Sequence, residues 1–108
     1  MISVCIATYN GEAYIREQLE SILSQLSSTD EVMVADDGST DRTTEIIQSF
    51  ADTRIRLLRT PSHLSASKTF YTALTSAHGD ILFLSDQDDV WLSGKVERCM
   101  EALKTSDL

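Results

Sequence analysis

An α/β fold, a Rossmann-like parallel sheet in the strand order 3-2-1-4 with helices on both faces, is predicted by three observations on the 108-residue sequence. Short β-rich apolar runs alternate four times with segments whose apolar residues recur at helical spacing. No repeat, low-complexity tract or linker interrupts them, and Pro61 is the only proline, so residues 1–108 form one domain. The conspicuous polar residues all follow strand-like runs, as TYNGE (8–12 with Thr8 as its first residue), DDGS (36–39) and SDQDD (85–89). Strands that alternate with helices pair in parallel beneath helical layers, and right-handed crossovers leave few arrangements.

The elements follow in order. ISVCIAT (2–8) is the first strand. Ile15, Leu19, Ile22, Leu23 and Leu26 share one face of a helix. EVMVADD (31–37) is the second strand. Ser39 or Thr40 caps the next helix, Asp41 favours its first turn, and Ile46, Ile47 and Phe50 face inward. RIRLLRT (54–60) is a more amphipathic strand, nearer an edge. Ala66, Phe70, Ala73, Leu74 and Ala77 give a third helix, stopped by Gly79. DILFLS (80–85) is the fourth strand, and Leu92, Val96, Met100 and Leu103 mark the last helix.

Composition narrows the function. A net charge of -8 argues against nucleic acid as the main partner. No apolar run approaches the length of a membrane span. The start, MISVCIATYN, lacks a basic stretch and a cleavage site, so no secretory leader is expected. Cys5 and Cys99 lack metal-ligand spacing and are expected free and reduced, which favours the cytoplasm. His63 and His78 also lack ligand spacing and are taken as surface residues.

In open α/β sheets, ligands bind beyond the carboxyl ends of the strands, where the strand order reverses. In the order 3-2-1-4, strands one, two and four are neighbours, so Glu12, Asp36, Asp37, Asp86, Asp88 and Asp89 gather on one rim. Asp86 and Asp88 point the same way in extended backbone. Two hard oxygen ligands on one side suit Mg²⁺ or Mn²⁺, with waters and a substrate phosphate completing the shell. The plainer reading has these residues end a strand and cap a helix, and Asp89 fits that role. DDGST is a turn, a glycine and a helix cap, yet that needs only one aspartate; the other can accept from a ligand N–H, such as a pyrimidine imide. Tyr9 is either a core aromatic or a ring presented to a base. Lys68 is either a solvated helix charge or the cation that meets a phosphate.

Together, TYNGEAYIREQLESILSQ, VMVADDGSTDRTTEII and GDILFLSDQDDVWLSGKVE resemble the nucleotide-sugar-binding half of a family 2 glycosyltransferase with the GT-A fold. The form SDQDDVW resembles bacterial enzymes that build surface polysaccharides, some of them rhamnosyltransferase-like. The resemblance implies that Thr8, Tyr9, Asn10 and Glu12 line the nucleotide pocket, with Tyr9 near the base. It implies that Asp37 accepts from the pyrimidine imide and that Asp36 is structural. Asp86, Gln87 and Asp88 match the D-x-D element, with Asp88 as direct metal ligand and Asp86 nearer the ribose or metal, and Lys68 matches a basic position. Mg²⁺ or Mn²⁺ is the implied cofactor, bridging a diphosphate and stabilising the leaving nucleotide. The implied partners are a UDP- or dTDP-sugar donor and a saccharide or lipid-linked acceptor, with the full-length protein peripheral to the inner face of the membrane. The stretch SHLSASKTF departs from the family in lacking a glycine and an asparagine usual there.

The acceptor half of such enzymes, with the general base of an inverting transfer, has no counterpart before Leu108. These residues alone are therefore expected to bind donor without transferring sugar, and to self-associate through an uncovered apolar face. A non-catalytic nucleotide-sugar-binding module is the alternative. A haloacid-dehalogenase-like phosphatase, with Asp86 as nucleophile, is more remote, because that motif normally opens its domain. A receiver-type signalling module is remoter still, since its acid pair follows the first strand and here the pair follows the second.

Overall fold

Eight elements alternate along the chain in the computed structural model, which describes residues 1–60, 66–85 and 90–105. They are β1 (Ile2–Thr8), α1 (Ile15–Leu23), β2 (Glu31–Asp36), α2 (Thr43–Ser49), β3 (Ile55–Arg59), α3 (Ala66–Ser76), β4 (Ile81–Ser85) and α4 (Lys95–Thr105). The four strands form one parallel sheet in the order β3-β2-β1-β4, as expected, with β3 at an edge.

Side-chain alternation along the strands sorts the core into two layers. Val4 and Ile6 of β1, Val32 and Val34 of β2, Leu57 of β3 and Phe83 of β4 pack with α1, α2, Trp91 and α4. Cys5, Met33, Ala35 and Leu58 point the other way, toward Ala73, Leu74 and Ala77 around α3. Helices therefore cover both faces. Coverage ends at β4: Leu82 and Leu84 pair with Ser3 and Cys5 on the α3 side, yet they are 47% and 58% exposed. Cys5 and Cys99 are both free. Burial, helped by the nearby Glu31 charge, pushes the Cys5 thiol up to about 11, which leaves it inert at neutral pH.

Three local expectations are corrected. Neither Ser39 nor Thr40 caps α2, which begins at Thr43; Asp41 accepts from Thr43 N at 2.9 Å, while Ser39 and Thr40 bond to Asp36 and Asn10. Gly79 lies beyond the end of α3 and is not in the left-handed region. It is needed because a Cβ there would stand 2.5 Å from Ser3 Oγ and 2.8 Å from Met1 O. Leu92 precedes α4 and is 74% exposed, because Trp91 takes the buried place ahead of that helix. His78 also has a structural task at the opposite end of the sheet from the rim. Its N–H donates to buried Glu31 at 2.6 Å, and its Nδ1 lies 2.6 Å from Arg56 Nη1. His63 lies outside the described residues.

Candidate nucleotide-binding rim

The carboxyl ends of β1 and β2 are in register, Thr8 opposite Asp36, and Asp36 lies opposite Arg59 of β3. The pairing continues past the strands: Asp37 N donates to Thr8 O, and Thr60 N donates to Asp36 O, each at 2.9 Å. TYNGE and DDGS thus occupy one rim, above neighbouring strands, as the sequence predicts.

The two consecutive aspartates differ in their surroundings. Asp36 is 2% exposed and accepts from the Thr8 hydroxyl at 2.7 Å, from Ser39 N at 2.9 Å and from the Ser39 hydroxyl. Gly38, at φ 81, turns the chain so that Ser39 can reach back. Thr8 is buried, and its hydroxyl is committed to Asp36 rather than to the surface. Asp37 is also buried, and its Oδ1 accepts from the Thr60 hydroxyl at 3.1 Å. Beside this layer Tyr9 is 44% exposed and Glu12 is exposed.

The β1–α1 loop is bonded to the β2–α2 turn at several points. Asn10, with φ 50, donates its N–H to Ser39 Oγ at 2.9 Å, and its Oδ1 accepts from Thr40 N at 2.8 Å. Gly11 N donates to Thr43 Oγ1 at 2.8 Å, and Glu12 N donates to Asp41 Oδ2 at 3.2 Å. Lys68 is exposed in the first turn of α3. Helices joining parallel strands run antiparallel to them, so that turn begins on the rim side of the sheet.

Asp86, Gln87, Asp88 and Asp89 lie outside the described residues. Their flanks are anchored to α1. Gln18 Nε2 donates to Ser85 Oγ at 2.9 Å, Trp91 Nε1 donates to the same oxygen at 3.2 Å, and Trp91 N donates to Ser21 Oγ at 2.9 Å. The Trp91 ring packs against Phe83 with centroids 5.6 Å apart, and Lys95 Nζ lies 4.6 Å from its centroid. Among the described residues, no group of three or more His, Cys, Asp or Glu side chains is placed to hold a metal ion. No helix among them is long and apolar enough to cross a membrane.

Sequence reasoning missed Gln18, Ser21, Asp41, Thr43 and Thr60 as contributors to this region. One signal was available: Gln18 interrupts the apolar stripe of α1 between Ile15 and Leu19, and is itself fully buried. A long polar side chain on a core stripe needs a partner.

The family model for glycosyl transferase family 2 matches residues 3–108. The chain is similar to the UDP-Glc:alpha-D-GlcNAc-diphosphoundecaprenol beta-1,3-glucosyltransferase WfgD of Escherichia coli, 34% identical over 97 residues, covering 90% of this chain and 38% of that protein. It is similar to the dTDP-rhamnosyl transferase RfbG of Shigella flexneri, 34% identical over 105 residues, covering 91% of this chain and 36% of that protein. Among solved structures it resembles the mannosyltransferase PcManGT from Pyrobaculum calidifontis in complex with GDP-Man and Mn²⁺. The TM-score is 0.88 and the identity 26%, covering 98% of this chain and 32% of that one. The chain spans little more than a third of the length of the two curated relatives.

Proposed function

The chain belongs to glycosyl transferase family 2, and from that premise we propose that it is the donor-binding part of an enzyme that transfers a sugar from a UDP- or dTDP-sugar to a saccharide or lipid-linked acceptor in surface polysaccharide synthesis. The observation that carries the reading is the rim itself. Thr8 and Asp36 face each other across neighbouring strands, and the bond from Asp37 N to Thr8 O brings Asp37 to the end of β1, the strand beside which the order reverses toward β4.

In this reading the exposed face of Tyr9 stacks on the pyrimidine, and Asp37 accepts from its imide N–H. Thr8 and Asn10 close the pocket through the loop they hold in place, Glu12 lies at its mouth, and Lys68 meets the diphosphate. Asp86 and Asp88 hold Mg²⁺ or Mn²⁺, with Gln87 between them. The Mn²⁺ in the complex of the similar mannosyltransferase supports a divalent ion. Such an ion, when bound, neutralises charge that develops on the leaving nucleotide. The transfer is of the hexosyl type and inverting, at the cytoplasmic face of the membrane. Residues 1–108 alone lack the general base and transfer no sugar. Leu82 and Leu84 form an open apolar strip at the edge of the sheet and draw copies of this chain together.

Calorimetry of UDP and dTDP with Mn²⁺, on the unaltered chain and on Asp88→Ala and Asp37→Ala, tests the reading. Binding that is lost in EDTA and weakened in both variants supports it. Affinity that is the same with and without metal, or equal in all three proteins, refutes the assigned site. Multiple-turnover formation of a glycoside from nucleotide sugar and acceptor would refute the inactivity of these residues on their own.

A further inference from the structure

The bonds from Asp41 and Thr43 into the β1–α1 loop exceed what the start of α2 requires. Asp41 Oδ1 accepts from Thr43 N at 2.9 Å and from the Thr43 hydroxyl, which satisfies the first N–H of the helix. The same two side chains also reach across to the other loop. Asp41 Oδ2 takes the N–H of Glu12, and Thr43 Oγ1 takes the N–H of Gly11. Thr43 is fully buried and Gly11 is buried, so water does not stand in for that hydroxyl. On the same side, Asn10 exchanges hydrogen bonds with Ser39 and Thr40. Three successive loop residues are thus fastened to the β2–α2 turn, and they separate or include two exposed side chains of the rim, Tyr9 and Glu12.

A loop fixed before its ligand arrives is spared the entropy of being ordered on binding. We infer that Asp41 and Thr43 are positioning residues that fasten loop residues 11 and 12 to the start of α2, so that Tyr9 and Glu12 meet a nucleoside diphosphate in a fixed arrangement. This rests on the donor-binding reading. Neither residue touches the ligand; each acts through the loop.

Thr43→Val removes the acceptor of Gly11 N with little change of shape, and Thr43→Ser keeps the hydroxyl. Asp41→Asn retains a carbonyl oxygen for Thr43 N but presents an amide N–H to Glu12 N. Affinity for UDP with Mn²⁺ is measured by calorimetry at a temperature where circular dichroism shows every variant folded. Hydrogen exchange of the Gly11 and Glu12 amides is followed by NMR on the same proteins.

The expected result is that Thr43→Ser binds as the unaltered chain does, while Thr43→Val and Asp41→Asn bind about tenfold more weakly. Gly11 loses protection in Thr43→Val and Glu12 in Asp41→Asn. Equal UDP affinity in all four proteins, with those amides exposed in the variants, overturns the inference, because the fastening would then be structural only. If the unaltered chain binds no UDP, the donor reading fails. The fastening is then decided by exchange: lost protection in the variants upholds it, and unchanged protection overturns it.

Discussion

Replacing Asp36 by alanine should destabilise the fold far more than any contact with ligand would suggest. The side chain is 2% exposed and accepts three hydrogen bonds, one from the Thr8 hydroxyl and two from Ser39. Thr8 is itself 1% exposed, so its orphaned hydroxyl costs about 1–3 kcal/mol. The Ser39 groups lie at a half-exposed turn and recover water, so each adds about 0.5–1 kcal/mol. Removing a buried charge returns part of its desolvation cost, which trims the sum. The net loss is about 2–3 kcal/mol. At about 4–8 °C per kcal/mol for a domain near this size, the melting temperature falls by roughly 10–20 °C. Asp37→Ala leaves the half-buried Thr60 hydroxyl to rehydrate, a loss of about 1 kcal/mol. Thermal and urea unfolding, followed by circular dichroism, compares the two. A fall below about 4 °C for Asp36→Ala, or an equal fall for both variants, would refute the assignment of a structural role to Asp36 alone.

Gly79→Ala places a Cβ 2.7 Å from Ser3 N and 2.8 Å from Met1 O, backbone atoms that cannot turn aside, so the urea midpoint should drop by the equivalent of about 1–3 kcal/mol; an unchanged midpoint contradicts the close approach. Acid should unfold the chain once the pH passes below the ordinary carboxylate values of 3.8 and 4.5, because Asp30, Glu31, Asp41 and Asp52 all titrate lower in the folded state. The Arg54 side chain holds Asp52 down; burial pushes the other three up, but hydrogen bonds from Ile2 and Ser27, from His78 and Ser3, and from Thr43 and Glu12 outweigh it. The unfolded chain then binds more protons, so this stability is present above that range and lost below it, and a melting temperature at about pH 3 equal to that at neutral pH would exclude the effect. Millimolar Mn²⁺ should raise the melting temperature more than NaCl of matched ionic strength, since a bound cation relieves repulsion at the rim; equal shifts argue against a formed site. Leu82→Ser with Leu84→Ser should reduce self-association in sedimentation velocity, and a chain that is monomeric before substitution refutes the apolar strip as the cause.

All eight elements and the strand order were legible because each apolar run carries its own period and parallel crossovers leave little choice of topology. Element ends were less so. Ser39 is a strong capping residue by type, and nothing in its neighbours in sequence shows that Asp36 claims its hydroxyl and its N–H. Gly79 shows the same limit: a glycine after a helix suggests a left-handed cap, whereas here the space is taken by Ser3 and Met1, far away in sequence. Leu92 fits the helical period of α4 by number, but Trp91 wins the buried place by filling it against Phe83 and bonding Ser21 and Ser85. Local propensity cannot rank two adjacent apolar residues for one cavity.

The rim separates what spacing can reveal from what only packing can. Two consecutive aspartates after a buried strand must point to opposite sides, so one of them can be structural while the other is offered to a ligand. The family resemblance implies the structural role for Asp36, and in the structure Asp36 is bonded to Thr8 and Ser39, while Asp37 is buried as well and accepts from Thr60. Which partners make the assignment possible is a different matter. Asp36 is held by a threonine twenty-eight positions earlier, Gly11 by a threonine thirty-two positions later, and Ser85 by a glutamine sixty-seven positions earlier. Each bond joins a strand end, or the loop that follows it, to a neighbouring element that the sheet order, not the sequence, brings within reach. That TYNGE and DDGS share one rim was therefore readable from residue types at strand ends. The rigidity of that rim was not, because rigidity here is a property of pairs.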